Sequence, residues 1–328
     1  MSEQNDSKDP EQNAAHDKRQ GRFQALAEKA LNAPIKRRSF LTNILGMTAT
    51  AAAATVVPVK KASAFSFEKF FQKHYKELTP QQKKDVFARI ARETKQEYGR
   101  AINLQDPPAL KGVKFAYCLD LSTCNGSRKC VTACAQENNI PAEIGSYIKV
   151  IEMPIGSLNP EKGTIFYQGK SVPKDGKYYL PVQCNHCDNA PCIKVCPVEA
   201  TWKEADGIVV VDYDWCIGCR YCQAACPYEA RHFNFKKPTI DASNMNTQQA
   251  YLSNRVRPKG VMEKCTFCLQ RTRKGQYPAC LEACPTGARK FGNILDKDSE
   301  VNQIFRNKRV FVLKEELNTM PQFFYYFG

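Results

Sequence analysis

The stretch from Cys216 to Pro227 reads Cys-Ile-Gly-Cys-Arg-Tyr-Cys-Gln-Ala-Ala-Cys-Pro. Its first three cysteines recur at every third position, and a fourth follows directly before the proline. The chain has sixteen cysteines in 328 residues, all of them between positions 118 and 284. Such a density of thiols indicates either a disulfide framework or bound metal, and the spacing decides between these two.

Thiols three residues apart cannot all pair within one loop with good disulfide geometry. The spacing C-x2-C-x2-C-x3-C-P is instead the ligand pattern of bacterial [4Fe–4S] sites, in which three thiolates hold one cluster and the fourth ligates another. Thiolate is also the soft ligand that such clusters prefer. Gly218 lets the backbone approach a cluster closely. The run therefore predicts at least two clusters whose ligands are crossed between two runs.

A second run lies about 32 residues earlier and has the same order with two residues inserted: Cys184-x2-Cys187-x4-Cys192-x3-Cys196-Pro197. We interpret the two runs as a repeat that folds over into one two-cluster unit. Under the crossed rule, site A comprises Cys184, Cys187, Cys192 and Cys226, and site B comprises Cys216, Cys219, Cys222 and Cys196.

The last cysteine group is Cys265-x2-Cys268-x11-Cys280-x3-Cys284-Pro285. Alone, its wide gap is compatible with a zinc ribbon, but the neighbouring runs favour an iron–sulfur site. Its partner is the altered group from Cys124 to Cys134, in which Ser127 occupies the position of the second cysteine. Site C then comprises Cys265, Cys268, Cys280 and Cys134, and site D comprises Cys124, Cys130 and Cys284.

The three thiolates of site D suit a [3Fe–4S] cluster with the missing iron at the corner that Ser127 faces. The alternatives are a [4Fe–4S] cluster with a Ser127 oxygen ligand, or one completed by Cys118. Oxygen is a harder ligand than thiolate, so we expect three [4Fe–4S] clusters and one [3Fe–4S] cluster, with four [4Fe–4S] clusters as the alternative. We interpret Cys118 as a small buried apolar residue and His186 as a hydrogen-bond donor near the ligands.

The formal net charge is +15, of which residues 1–64 carry +4. Each oxidised cluster with its thiolates adds about −2, so the loaded protein is only mildly basic. No motif of the nucleic-acid-binding kinds is present. The excess of Lys and Arg is expected to compensate the clusters or to face an acidic partner, and no nucleic acid is expected as a partner.

The segment Lys36-Arg37-Arg38-Ser39-Phe40-Leu41 precedes an Ala/Thr-rich run that ends near Ala62-Ser63-Ala64. This segment resembles a twin-arginine export signal, which carries folded proteins across the cytoplasmic membrane. We expect residues 1–64 to be a disordered N-terminus and signal, with the mature chain starting near Phe65. The run is too short for a stable membrane span, so a peripheral location on the periplasmic side is expected.

The remaining chain predicts an α+β fold. Residues 65–112 form a helical extension: aromatic residues at Phe67, Phe70 and Phe71 begin one helix, and a second starts after Thr79 and stops at Gly99. These helices pack on their own domain or dock a partner subunit. Two bacterial-ferredoxin-like units with hairpin and loop insertions follow, and an aromatic tail is expected to dock a partner or to fold back onto the core. The predicted segments are 113–180 (first half of the outer unit, sites C and D), 181–235 (inner unit, sites A and B), 236–300 (a long surface loop and the second half of the outer unit) and 301–328 (docking tail).

The runs CNHCDNAPCIKVCP, CIGCRYCQAACPY and CTFCLQRTRKGQYPACLEACP resemble the four-cluster iron–sulfur (beta) subunits of the complex iron–sulfur molybdoenzymes, such as dimethyl sulfoxide, polysulfide and tetrathionate reductases. The resemblance covers about residues 113–300 and departs from the pattern at Ser127. It implies an electron-transfer subunit without substrate chemistry, linking a membrane-integral quinone-handling subunit to a catalytic molybdopterin or multihaem cytochrome subunit. The alternative is a reductase that binds a small oxidant at the incomplete site D.

Overall fold

The computed structural model of the chain describes residues 73–328. The predicted signal segment and the aromatic residues Phe67, Phe70 and Phe71 of the first predicted helix lie outside the described residues. The described part is an α+β structure, as predicted, in which short helices and small sheets alternate with loops.

Of the α-helices within residues 73–328, only the first is long, and most of the others are single turns beside a cysteine run. They are α1 (Pro80–Tyr98), α2 (Lys129–Glu137), α3 (Pro191–Lys194), α4 (Tyr221–Ala224), α5 (Leu269–Thr272), α6 (Ala279–Glu282) and α7 (Glu300–Asn307). Helix α2 packs on α6, and α3 packs on α4.

Helix α1 begins and ends where the sequence predicts. Thr79 Oγ1 accepts a hydrogen bond from Gln82 N at 3.2 Å, and Gln82 Oε1 accepts one from Thr79 N at 3.0 Å, which is a capping box. Gly99 ends the helix with a φ of 68°. Ile90 is buried in the main hydrophobic core. The helix therefore packs on its own cluster-binding domain, which is one of the two alternatives above.

The described strands form five small sheets. They are β1 (Asn103–Gln105), β2 (Phe115–Asp120), β3 (Lys149–Pro154), β4 (Lys177–Val182), β5 (Thr201–Lys203), β6 (Val209–Val211), β7 (His232–Phe233), β8 (Gln248–Ala250), β9 (Met262–Glu263), β10 (Arg289–Asn293) and β11 (Phe323–Tyr326). The pairs β3–β4, β5–β6 and β7–β9 are antiparallel, and β1–β8 is parallel. The β5–β6 hairpin lies before Cys216 and is one of the hairpin insertions expected from the sequence.

Strand β2 is the centre of the only three-stranded sheet in residues 73–328, between antiparallel β10 and parallel β11. Its successive side chains point to opposite faces. Tyr117 stacks on Phe323 with ring centroids 4.9 Å apart. Cys118 lies on the other face, in a separate cluster with Val301 and Ile304 of α7. Cys118 is therefore a small buried apolar residue, as interpreted, and it does not line site D.

The predicted docking tail is wrong for residues 323–326. These residues form β11, which pairs with β2 inside the domain, and both Phe323 and Tyr325 are fully buried. The alternating aromatic side chains fill the core beside β2, because removing large rings from water stabilises the folded state. The tail folds back onto the core, which was the second alternative.

The long surface loop predicted at the start of segment 236–300 is wrong for residues 249–255. Residues 249–255 are buried, and β8 pairs with β1. Asn254 Oδ1 accepts a hydrogen bond from Ala250 N at 2.8 Å, and Arg255 Nη2 lies 2.9 Å from Asp214 Oδ1. The polar side chains of this segment can be buried because hydrogen bonds and ion pairs of this kind replace their contacts with water.

No helix between residues 73 and 328 combines the length and the apolar character that crossing a bilayer requires.

Candidate metal centres

All sixteen cysteines lie within the described residues, and none forms a disulfide. Four of them line one cavity, and this set is the one predicted for site A. Three come from the second run, while the fourth comes from the end of the 216–226 run. The set is Cys184, Cys187, Cys192 and Cys226. The crossed arrangement of the two runs is thus present in the structure.

A second cavity brings together the three thiols predicted for site D. It is lined by two cysteines of the first group and by the last cysteine of the fourth group: Cys124, Cys130 and Cys284. Ser127 lines the same cavity, as the alignment of the runs predicts.

The predicted site B set is also brought together. Burial raises the pKa of Cys216, and the neighbouring thiols of Cys196 and Cys219 raise it further. Burial likewise raises the pKa of Cys222, and the thiols of Cys216 and Cys196 add to this increase. The thiol of Cys196 therefore lies near those of Cys216 and Cys222 in the following run.

Site C shows the same grouping. Asn138 Nδ2 lies 3.8 Å from Cys134 Sγ and 3.6 Å from Cys268 Sγ, although these cysteines are far apart in the sequence. Burial raises the pKa of Cys265 well above its usual value, and Cys134 and Cys280 add to this effect. Since thiolate is the binding form, the binding of a cationic metal centre is what would stabilise ionised sulfur at these buried positions.

No group of three or more His, Cys, Asp or Glu side chains within residues 73–328 is placed to hold a single metal ion. Thiolates around one zinc ion lie about 2.3 Å from it, whereas a cluster of several irons requires its ligands to stand further apart. Four thiols at site A and three at site D line a common cavity in each case.

The lining of the site A cavity also fits a group that accepts hydrogen bonds. Both polar side-chain atoms of Asn185, Nε2 of His186, and Nε and Nη1 of Arg231 are buried without a hydrogen-bond partner among the described residues. Unpaired buried donors are costly unless something accepts their hydrogen bonds. The sulfur atoms of an iron–sulfur cluster are such acceptors.

His186 has the environment of a neutral imidazole. Burial holds its pKa well below the usual range, and the charge of Lys264 lowers it further. Nδ1 accepts a hydrogen bond from Val209 N at 2.9 Å, so the proton of the neutral ring lies on Nε2. The ring packs on Phe267 with centroids 3.8 Å apart. The predicted role of a donor therefore falls to Nε2, in the wall of the site A cavity.

The altered group from Cys124 to Cys134 and the 216–226 run have the same backbone conformation at two matching positions. Gly126 and Gly218 have φ of 74° and 71°, and Arg128 and Arg220 have φ of 57° and 64°. Left-handed conformations at the same two positions place the residue between them equivalently in both runs. Ser127 therefore takes the structural position that a cysteine takes in the later run.

Gly218 is required where the site B loop crosses another segment. A Cβ atom there would lie 2.1 Å from Gly260 O. We expect Gly218→Ala to lower the free energy of unfolding by about 1–3 kcal/mol more than Gly145→Ala does. Gly145 has a similar φ of 75° but open space around a Cβ, so both substitutions carry the same backbone strain.

Thermal unfolding of both variants, together with their iron content, checks this prediction. Equal destabilisation would show that the close approach of the two loops contributes nothing.

Sequence reasoning missed the polar groups that contact the thiols. Arg231 Nη2 lies 3.0 Å from Cys192 Sγ, and Tyr117 Oη lies 3.3 Å from Cys280 Sγ. A signal for the arginine was present in the sequence. The pattern Cys-Pro-x-x-Ala-Arg occurs at residues 226–231 and again at residues 284–289.

A family model described as a 4Fe-4S dicluster domain matches residues 176–251 and 250–294. The chain is similar to the iron-sulfur subunit of a putative dimethyl sulfoxide reductase of Halobacterium salinarum, with 39% identity over 65% of this chain and 79% of that protein. The iron-sulfur cluster-binding subunit of menaquinone reductase from Nitratidesulfovibrio vulgaris is 39% identical over 65% and 88% of the two chains. A subunit of tetrathionate reductase from Salmonella typhimurium is 36% identical over 65% of this chain and 72% of that protein. With these similarities, the chain belongs to the iron–sulfur (beta) subunits of the complex iron–sulfur molybdoenzyme family, whose role is electron transfer.

Proposed function

We propose that the chain binds four iron–sulfur clusters at sites A to D, arranged as two ferredoxin-like two-cluster units. The observation that carries this proposal is the cavity in which Cys226 joins three thiols of the preceding run. Bound clusters would supply one-electron redox centres. The protein binds them through fifteen thiolates, excludes water by burial and directs hydrogen-bond donors towards them.

The four sites form a continuous series in the order B, A, C, D. Arg231 contacts Cys192 of site A and interacts with Cys222 of site B. The ring contact between His186 and Phe267 joins the loops of sites A and C.

Sites C and D are joined by Arg289, which lies 3.9 Å from Cys280 Sγ and 3.5 Å from Cys130 Sγ. Cys219 of site B is exposed, and Cys124 and Cys284 of site D are partly exposed. Both ends of the series thus reach the surface, which is the arrangement that a relay between two partners requires.

At site D the proposal is a [3Fe–4S] cluster, with [4Fe–4S] as the alternative. The equivalent backbone of the two runs supports this choice, since it places Ser127 where the later run has a ligand. Cys118 is directed to the other face of β2 and gives no fourth thiolate.

The proposed partners are a membrane-integral quinone-handling subunit at one end and a catalytic molybdopterin or multihaem cytochrome subunit at the other. The names of the relatives support this, because they include subunits of menaquinone and tetrathionate reductases. The proposed location is the periplasmic side of the membrane, after export in the folded state by the twin-arginine route. The paired Arg37 and Arg38 support this route.

Anaerobically purified full-length protein tests the proposal. We expect a brown protein with about 15 irons per chain, from three [4Fe–4S] clusters and one [3Fe–4S] cluster. Electron paramagnetic resonance (EPR) of the oxidised protein should show a three-iron signal of about one spin per chain. Stoichiometric zinc without iron would reject the cluster assignment, and a silent oxidised spectrum with about 16 irons would replace the three-iron cluster by a fourth cube.

A further inference from the structure

Arg231 is a buried cation at the junction of sites A and B. Its side chain donates from Nη2 to Cys192 Sγ at 3.0 Å and to Thr201 Oγ1 at 2.9 Å. Burial lowers its pKa, but the charges of Cys192 and Cys222 more than reverse this effect. A guanidinium is always charged in proteins, and that of Arg231 interacts with thiols of two different sites.

Arg289 occupies the equivalent place at the junction of sites C and D. It donates from Nη1 to Gln183 Oε1 at 2.9 Å, and its Nη2 lies 3.5 Å from Cys130 Sγ. Nη1 also lies 3.9 Å from Cys280 Sγ. Both arginines are 2% exposed.

The repeated Cys-Pro-x-x-Ala-Arg pattern explains why the two arginines occupy equivalent places. In each repeat the run ends at the cysteine, the chain turns, and a buried alanine precedes the arginine: Ala230 in one case and Ala288 in the other. A strand follows directly, β7 after Arg231 and β10 starting at Arg289. The arginine thus lies at the same point of a turn followed by a strand in both repeats of the pattern.

Lys264 lies at the remaining junction, between sites A and C. It is 1% exposed, and its Nζ donates to Cys265 O at 2.5 Å. Lys264 directly precedes Cys265 of site C, and Phe267 of the same loop packs on His186, which lines the site A cavity, with ring centroids 3.8 Å apart.

These three cations differ from the other buried arginines of residues 73–328. Arg89, Arg255, Arg257 and Arg273 each form an ion pair with a carboxylate, at 3.4 Å, 2.9 Å, 2.5 Å and 2.7 Å respectively. No carboxylate forms an ion pair with Arg231, Lys264 or Arg289 within the described part of the chain. A buried cation without a counter-charge is strongly destabilising, so its compensation must come from the negative charge of the thiolates and whatever they bind.

We propose that Arg231, Lys264 and Arg289 place one positive charge at each junction between neighbouring sites. Each charge raises the reduction potentials of the two clusters on either side of its junction. This inference rests on the proposed function. Reduction adds negative charge to a cluster, and a fixed positive charge nearby favours that state. Each cation acts through its charge on the adjacent sites and is a positioning residue rather than a ligand.

Redox titration of the loaded full-length protein, followed by EPR, tests the proposal through the pattern of shifts. We expect Arg231→Gln to lower two of the four potentials and Arg289→Gln to lower the other two. Lys264→Gln should lower one potential from each pair. An expected tenfold change in the reduced-to-oxidised ratio at each affected cluster corresponds to about 59 mV.

Lys290→Gln is the matched control. It removes the same charge from the next position, but Lys290 forms an ion pair with Glu300 outside the cluster series, at 2.6 Å. We expect no potential to move in this variant. Arg231→Lys and Arg289→Lys keep the charge and should restore most of each potential.

Gln183→Glu keeps Arg289 in place and gives it a carboxylate partner of nearly the same shape. If the Gln variants of the cations lose their clusters, this variant still tests the proposal, and it should lower the site C and site D potentials. Protein with a full complement of iron and unchanged potentials would overturn the inference while leaving the cluster assignment intact. Shifts of all four potentials by every variant would also overturn it, because a positional effect must be confined to the adjacent sites.

Discussion

The Cys226→Ala variant is expected to lose the cluster of site A and to retain that of site B. The reason is that Cys226 lies in the cavity of Cys184, Cys187 and Cys192, although it is only four residues from Cys222. Iron content should fall by about four per chain, the amount in one cubane cluster. The same EPR signal should disappear in Cys187→Ala.

Cys222→Ala provides the comparison for this experiment. It should remove a different signal, that of site B, and leave the site A signal in place. If Cys226→Ala and Cys222→Ala removed the same signal, ligation would follow the order of the sequence and the crossed assignment would be wrong.

Ser127→Cys is expected to convert the cluster of site D into a [4Fe–4S] cluster. The substitution places a thiol where both neighbouring residues have the same left-handed conformation as the neighbours of Cys219 in the later run. Thiolate is the softer ligand and holds a fourth iron where a hydroxyl does not. The three-iron EPR signal of the oxidised protein should disappear, and the iron content should rise by about one per chain.

Ser127→Ala is the matched control and should leave the three-iron signal unchanged, because it provides no ligand. Loss of that signal in the alanine variant would show that the serine oxygen holds the cluster together. An unchanged signal in Ser127→Cys would show that the side chain does not face the open corner.

The cysteine spacing was enough to predict which thiols line the cavities of sites A and D, because each run holds its thiols close together and the repeat folds two runs against each other. Helix α1 was also predictable, since Thr79, Pro80 and Gly99 act locally. The hairpin of β5 and β6 follows in the same way from the turn at Gly207.

The rest depends on contacts between distant residues. The sequence around Arg255 and Arg257 has the polar composition of a surface loop. The two arginines are buried because they form ion pairs with Asp214 and Glu263. The strand β11 is a short aromatic run whose pairing with β2 joins residues about two hundred positions apart. No local pattern contains either partner, and such non-local pairings are where prediction from sequence is weakest.

The segment directly before the C-terminal strand also has a consequence for assembly. Asp188 N donates to Met320 O at 2.8 Å, Asn189 N donates to Thr319 O at 3.1 Å, and Gln322 N donates to Asn185 O at 2.8 Å. A nascent chain synthesised only as far as Cys226 would contain every thiol of site A without the later segment that anchors its loop. The loop that carries Cys184 and Cys187 is therefore fully anchored only after residues 319–322 have been synthesised.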